Sequence, residues 1–129
     1  MNSVVALVKA LKVNSSIKKL EIVHAIIDDS VVIELAKALK THNSLMCLFL
    51  CDNDFIGDTG AIELANLLKV NNVIHELDLS NNRIGDEGAM ALAEALESNT
   101  TIQTVNLANN KISGSVKSTL NYDRRFKLY

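Results

Sequence analysis

Four segments of this chain are spaced copies of one another, and that periodicity constrains the fold more than any other property of the sequence. The copy that shows it best is Glu76-Leu-Asp-Leu-Ser-Asn-Asn-Arg-Ile-Gly-Asp-Glu-Gly88. Its apolar residues alternate at Leu77 and Leu79. After Asn82, Ile84 and Gly88 they change to helical spacing at Leu92, Ala93 and Leu96, which predicts one short strand followed by one helix. Upstream, Leu48, Leu50, Asn53, Ile56, Gly60, Leu64 and Leu68 repeat the pattern, with one residue inserted between Asn53 and Ile56. An earlier copy has Leu20, Ile22, Ala25, Ile27, Val31, Leu35 and Leu39, and a later one has Val105, Leu107, Asn110, Ile112, Val116 and Leu120. The strand starts Leu20, Leu48, Leu77 and Val105 are therefore 28, 29 and 28 residues apart. At that period a strand and a helix per repeat stack into a horseshoe.

The segments Leu77-Asp-Leu-Ser-Asn-Asn-Arg-Ile-Gly-Asp-Glu-Gly88 and Val105-Asn-Leu-Ala-Asn-Asn-Lys-Ile112 resemble a leucine-rich repeat of the ribonuclease-inhibitor-like type, found also in NOD-like receptors. The resemblance extends from Leu7 to Leu120. A more particular resemblance, to the leucine-rich domain of tropomodulin and leiomodin, runs through Leu11-Lys-Val-Asn-Ser-Ser-Ile-Lys-Lys-Leu-Glu-Ile-Val23 and the shortness of the array. The fold implied is an α/β right-handed solenoid, a horseshoe fragment with four short parallel strands on the concave side and helices on the convex side. The first resemblance implies a protein-protein interaction module that binds through its concave face. The second implies a cytoskeletal protein that binds or caps actin filaments, although the short basic C-terminus stands where those proteins continue into a further helix.

At 129 residues the chain makes one domain with a modest core. Aromatics are only 4% of the residues, so that core must be aliphatic. Residues 1–129 divide into an N-terminal half-repeat or cap helix (1–16), full repeats at 17–44, 45–73 and 74–101, and a last partial repeat with a C-terminal cap (102–129). Leu7 and Leu11 have the phase of Leu92 and Leu96, so the chain begins in the helical half of a unit. This helix is either a native cap or the cut edge of a longer array. At the other end, Val116, Leu120, Tyr122, Phe126, Leu128 and Tyr129 supply material to cover the last repeat. Alternation of Arg124, Arg125 and Lys127 with Phe126 and Leu128 suits a short strand turned inward, and folding back as a cap is preferred to pairing with a second molecule.

The formal net charge of -2 argues against a general nucleic-acid binder. Charge is uneven, with ten acids against two cations in residues 42–98, so a protein ligand of basic character would be steered there. Cys47 and Cys51 on one strand lie about 13 Å apart, too far for a disulfide, which favours a reducing, cytoplasmic setting. The apolar opening residues are interrupted by Lys9 and Lys12 and make neither a signal peptide nor a membrane span.

Catalytic chemistry has no foothold in the pattern. His24, His42 and His75 occupy different repeat phases, Asp52, Asp54 and Asp58 lack the terminal Glu of a calcium loop, and no nucleophile has a base that the spacing puts beside it. Arg83 stands at a variable polar turn position, Asp54 one repeat earlier and Lys111 one repeat later, rather than where an arginine finger is demanded. No enzyme activity, cofactor or metal is expected. The partner is a protein, with no nucleic acid or membrane, and the chain is a monomer whose ends could associate.

Parallel stacking puts the outward strand residues on one face: Lys19, Glu21 and Val23, then Cys47, Phe49 and Cys51, then Glu76, Asp78 and Ser80, then Thr104, Asn106 and Ala108. Of these, Phe49, Cys47, Cys51, Glu76, Asp78, Glu21, Lys19 and Asn106 are the candidate partner-binding residues, an apolar centre beside a carboxylate pair. Nothing in the pattern covers Phe49. Asn53, Asn82 and Asn110 are expected to hold turn backbone through their amides, a role Ala25 cannot fill. Gly60 and Gly88, with Gly57 and Gly85, are expected to permit close or left-handed backbone, and Asp58 and Asp86 to cap the helices they begin.

Overall fold

A computed structural model describes residues 2–129 of the chain, with side chains from Val4 onward. Helix α1 (Asn2–Val13) leads into β1 (Lys19–Glu21), α2 (Asp29–Leu39), β2 (Cys47–Phe49), α3 (Asp58–Val70), β3 (Glu76–Asp78), α4 (Asp86–Ser98), β4 (Thr104–Asn106), α5 (Gly114–Leu120) and β5 (Phe126–Lys127). The strands lie in sequence order in one parallel sheet. The result is an open solenoid of alternating strands and helices. It has five strands among the described residues rather than four, because the tail adds β5 beside β4, with Val105 opposite Phe126 and Asn106 opposite Lys127.

Each strand is three residues long or shorter, less than the five-residue runs that the alternation suggests. Pairing nevertheless continues one residue past the strand: the amides of Ile22, Leu50, Leu79 and Leu107 donate to Phe49, Asp78, Asn106 and Lys127 at 2.7–2.9 Å. Two residues further on the chain turns through left-handed backbone at His24, Asp52, Asn81 and Asn109, with φ between 55 and 60°. Asx residues tolerate that region better than most. The residue inserted in the second unit is Asp54, which also has positive φ (65°), while Phe55 donates its amide to the Asn53 carbonyl. Since no glycine of the described residues has positive φ, the left-handed role expected of the glycines belongs to these residues instead.

The glycines serve close approach. A β-carbon at Gly60 would lie 2.6 Å from Asp29 Oδ1, and one at Gly88 would lie 2.7 Å from Asp58 Oδ1 and 2.8 Å from the β-carbon of Ala61. The reason is a cap that crosses between units. Asp29 Oδ1 accepts from Gly57 N and Gly60 N at the start of α3; Asp58 Oδ1 accepts from Gly85 N and Gly88 N at the start of α4; Asp86 Oδ1 accepts from Ser113 N before α5. Asp58 and Asp86 therefore cap the following helix and not their own, which corrects the sequence expectation. Each carboxylate meets free amides and the positive end of a neighbouring helix dipole, so one side chain ties two units together. Asp28 and Ser113 act locally instead, Asp28 accepting from Ser30 N and Val31 N and Ser113 Oγ from Val116 N.

The core is a single column of leucine, isoleucine, valine and alanine with Phe126 at its C-terminal end, and Leu48, Leu50, Leu64, Leu79 and Leu92 are fully buried. Two polar ladders run through it. Asn53 Nδ2 donates to Ile22 and Leu50 carbonyls, Asn82 Nδ2 to those of Leu50, Leu79 and Ser80, and Asn110 Nδ2 to those of Leu79 and Leu107. Ala25 N and Ile84 N return bonds to Asn53 Oδ1 and Asn110 Oδ1. Asn82 Oδ1 is buried with no protein partner, as the unit it faces carries the inserted residue, whose geometry diverts Phe55 N to Asn53 O. On the helix side, Asn71 Nδ2 donates to Leu39 O, and Asn99 Nδ2 to Leu68 O and Asn71 O.

The C-terminal segment continues the sheet and the helix-side ladder. Phe126 and Leu128 are buried, and the backbone of Arg125 and Lys127 accepts from Val105 N and Leu107 N. The Arg125 guanidinium donates to Leu96 O at 2.8 Å and Asn99 O at 2.7 Å, standing where an asparagine of a next unit would stand. Asp123 balances its charge at 2.6 Å. Tyr122 and Tyr129, expected to help cover this end, are instead 93% and 84% exposed.

Candidate functional site

The outward strand residues fall into two rows. Lys19, Cys47, Glu76 and Thr104 are paired neighbours in one, and Glu21, Phe49, Asp78, Asn106 and Lys127 in the other. Parallel pairing spaces members of a row about 4.8 Å apart. The strand is short, so Cys51 sits just beyond β2, in the first turn. Ser80 and Ala108, placed on this face by the repeat phase, are buried and add little to it.

Local chemistry shapes the face. Lys19 Nζ lies 2.8 Å from Glu21 Oε1 and 4.9 Å from the centroid of the Phe49 ring. Phe49 is thus half-covered by a cation over its π face, a contact that the repeat phase alone does not reveal. The hydrogen bond with Glu21 holds the Lys19 ammonium above its ordinary range. Cys47 Sγ points at Glu76 Oε1, 3.8 Å away, and burial followed by the Glu76 charge raises the thiol pKa. Burial, then Asp78 and Asp52, raises that of Cys51. Both are weak nucleophiles at neutral pH, because the thiolate is the reactive form. Asp78 Oδ1 accepts from Ser80 N and Ser80 Oγ at 2.9 and 2.7 Å, and Asn106 Oδ1 from Ala108 N at 3.0 Å, so both side chains are pre-oriented. The arrangement offers a half-exposed aromatic ring, two thiols and the carboxylates of Glu21, Glu76 and Asp78, with cations at Lys19 and Lys127.

The residues considered for other chemistry are apart. His24 Nε2 lies 3.8 Å from Asp52 Oδ2 in one turn, His42 Nδ1 accepts from Ser44 N and Leu45 N in the core, and His75 Nδ1 lies 2.6 Å from Val73 O. Asp58 is engaged by the α4 N-terminus, so it does not join Asp52 and Asp54 in a loop. The Arg83 guanidinium stacks 5.5 Å from the Phe55 ring. Among the described residues no group of three or more His, Cys, Asp or Glu side chains could hold a metal ion. No helix there is long and apolar enough to cross a membrane.

A family model described as leucine-rich repeat matches residues 41–65, 70–93 and 98–115, together more than half of the chain. The chain is a leucine-rich-repeat protein. Its match is to the repeat in general and does not single out the ribonuclease-inhibitor-like type. No curated protein matches this leucine-rich-repeat chain by sequence. Among solved structures it is similar to leiomodin-1 actin-binding site 2, with a TM-score of 0.85 at 20% identity, over 95% of this chain and 76% of that one. At that identity the likeness establishes the shared fold.

Several contacts that matter are not visible in the sequence. The cross-unit caps Asp29, Asp58 and Asp86 were visible as acids at one repeat phase. Their target one unit onward was not. The Lys19 contact with Phe49 depends on a register between neighbouring strands that is fixed only once the units are stacked.

Proposed function

We propose that this chain is a protein-interaction module whose ligand lies on the strand face around Phe49, flanked by Cys47, Cys51, Glu21, Glu76 and Asp78, with Lys19 and Asn106 at its rim. Half-exposed aromatics in a polar surround are the usual anchors of such surfaces. The acidic flank suits a ligand with basic groups, held more weakly as salt rises. Two unpaired thiols on the same face suit a reducing, cytoplasmic setting.

Actin is the ligand we favour. The observation that carries this reading is the agreement of fold over 95% of the chain with leiomodin-1 actin-binding site 2. The tropomodulin-leiomodin resemblance of Leu11–Val23 points the same way. Co-sedimentation with actin filaments, together with slow-end growth measured by pyrene fluorescence, tests it. Binding at tens of micromolar protein that Phe49→Ala or Asp78→Lys weakens is expected. Neither binding nor a change in growth would remove actin, and the general reading would then rest on a pull-down in which wild type and Phe49→Ala differ.

A further inference from the structure

Helix α5 has seven residues where α4 has thirteen, so it covers only part of the α4 flank on its side. The chain leaves α5 at Leu120, passes through Tyr122 and Asp123, and returns to the sheet at β5. Between α4 and this return lies an open groove of about 1090 Å³. Its floor is apolar: Met90, Ala93, Leu120 and Phe126 line it. Met90 is 44% exposed, and Ala93, which has the phase of the buried helical face, is only half-buried.

The charge around the groove is one-sided. Glu87 and Glu94 lie two turns apart on α4 with Met90 in the turn between them, and Glu97 follows one turn after Glu94. Asp86 is committed to Ser113 N, and Asp123 and Arg125 neutralise each other. Lys69 lies 3.6 Å from Glu94 across the surface, and on the opposite wall Arg124 has no carboxylate within salt-bridge distance among the described residues. Three exposed carboxylates thus border the apolar trough, Glu94 shared with Lys69 and Glu87 and Glu97 without an ion-pair partner among the described residues.

We propose that this groove docks a basic amphipathic helix of a partner protein, its apolar side chains on Met90, Ala93 and Phe126 and its Lys or Arg residues against Glu87, Glu94 and Glu97. A helix is about 10 Å across and presents anchors at i, i+3, i+4 and i+7, which fits a trough running along another helix. The acidic rail sets the sign of the partner and, through steering, its rate of encounter. This surface is on the helix side of the solenoid, away from the strand face, and stands whether or not that face binds actin.

The test uses methyl-labelled methionine in the full chain. Met90 reports the groove, and Met46, in the segment that leads into β2, is the internal control. A synthetic 16-residue amphipathic helix with Leu on one face and Lys on the other is titrated, alongside the same helix with Glu in place of Lys. The expected result is a saturable shift of the Met90 methyl with Met46 unmoved, an affinity about tenfold lower for the Glu87→Lys/Glu97→Lys variant, and no shift with the acidic helix. Thermal melts of the variant confirm its fold, since both residues are exposed. The proposal is overturned if Met90 is unmoved at millimolar peptide, if the acidic helix binds equally, or if charge reversal changes nothing. It is also overturned if Met90 shifts with protein concentration alone, which would assign the groove to a second copy of the chain.

Discussion

The cross-unit caps give a quantitative prediction, because two glycine-carboxylate pairs that look alike in sequence differ in what surrounds them. Removing Asp58 deletes two charge-assisted bonds to the start of α4, a loss of about 2 kcal/mol on typical cap and charged-bond values. For a chain of this size that is roughly 8 °C in melting temperature. Asp29→Ala should be similar at α3. The glycines then separate the two pairs. Alanine at position 60 gains about 1 kcal/mol of helix propensity, but its β-carbon meets Asp29 Oδ1 at 2.6 Å and must displace the cap, for a net loss. In an Asp29→Ala background that obstacle is gone. The next contacts, Ile56 Cγ2 at 3.3 Å and Val32 Cβ at 3.4 Å, need shifts of only a few tenths of an ångström. Gly60→Ala should therefore be nearly neutral there. At position 88 the carboxylate is not the only obstacle: Ala61 Cβ at 2.8 Å and Ile84 Cγ2 at 2.9 Å remain. Ala61 Cβ has no torsion by which to move, so Gly88→Ala should cost about 1–3 kcal/mol in both backgrounds. Urea unfolding of the two double-mutant cycles measures this, with the m-value as a check that the denatured state is unchanged. Equal penalties for Gly60→Ala with and without Asp29, or a melting shift below about 2 °C for Asp58→Ala, would refute the cap argument.

Four further outcomes are expected. Leu79→Ala, at a fully buried position, should lose about 2–5 kcal/mol. Phe49→Ala should lose far less while weakening ligand binding, so equal destabilisation in urea melts would mean the ring belongs to the core. Asn82→Ala strips the amide from three carbonyls and should cost about 1–3 kcal/mol, and an unaffected melting point would show those carbonyls to be satisfied otherwise. The Arg125 hydrogen bond depresses the Asp123 pKa below 3.8, so the pair's contribution is complete above that value and is lost as pH falls through the lower folded value. Asp123→Asn should accordingly lower stability at pH 7 but flatten the acid limb of a melting-temperature profile, and parallel profiles for the two proteins would refute the linkage.

Periodicity made the strand-helix alternation readable because each apolar position recurs under the same packing demand: Leu20, Leu48, Leu77 and Val105 all end up buried and in register. What it left open has a common physical cause. A repeat pattern shows what each unit contains and not which unit a side chain serves, so Asp58 looked like a cap for its own helix when its partner lies 27 and 30 residues onward. The turn asparagines were readable as a class, yet the left-handed residue is the one just before them. Glycine was the obvious candidate for that geometry, whereas Asn81 and Asn109 supply it with an Asx side chain. On the strand face, Lys19, Phe49 and Glu76 were correctly placed by alternation. Their mutual contacts were not, since an ammonium over a ring is decided by rotamers across two strands.

The C-terminal segment joins the two surfaces. Residues 126 and 127 form a two-residue strand, and successive strand side chains point to opposite faces. Phe126 accordingly floors the groove beside α4, while Lys127 extends the row that holds Phe49, Asp78 and Asn106. Deleting residues 122–129 would strip the Arg125 cap, uncover Val105 and Leu107, remove a wall of the groove and shorten the strand-face row together, so lost binding after that deletion could not be assigned to either surface. Point changes can separate them. Glu97→Lys alters an exposed α4 side chain with no bond to the sheet, and Phe49→Ala alters the sheet with no contact to the groove. If the surfaces serve different ligands, each change weakens one and spares the other. If one ligand spans both, the two changes weaken the same complex and their double-mutant cycle reads the coupling through β5.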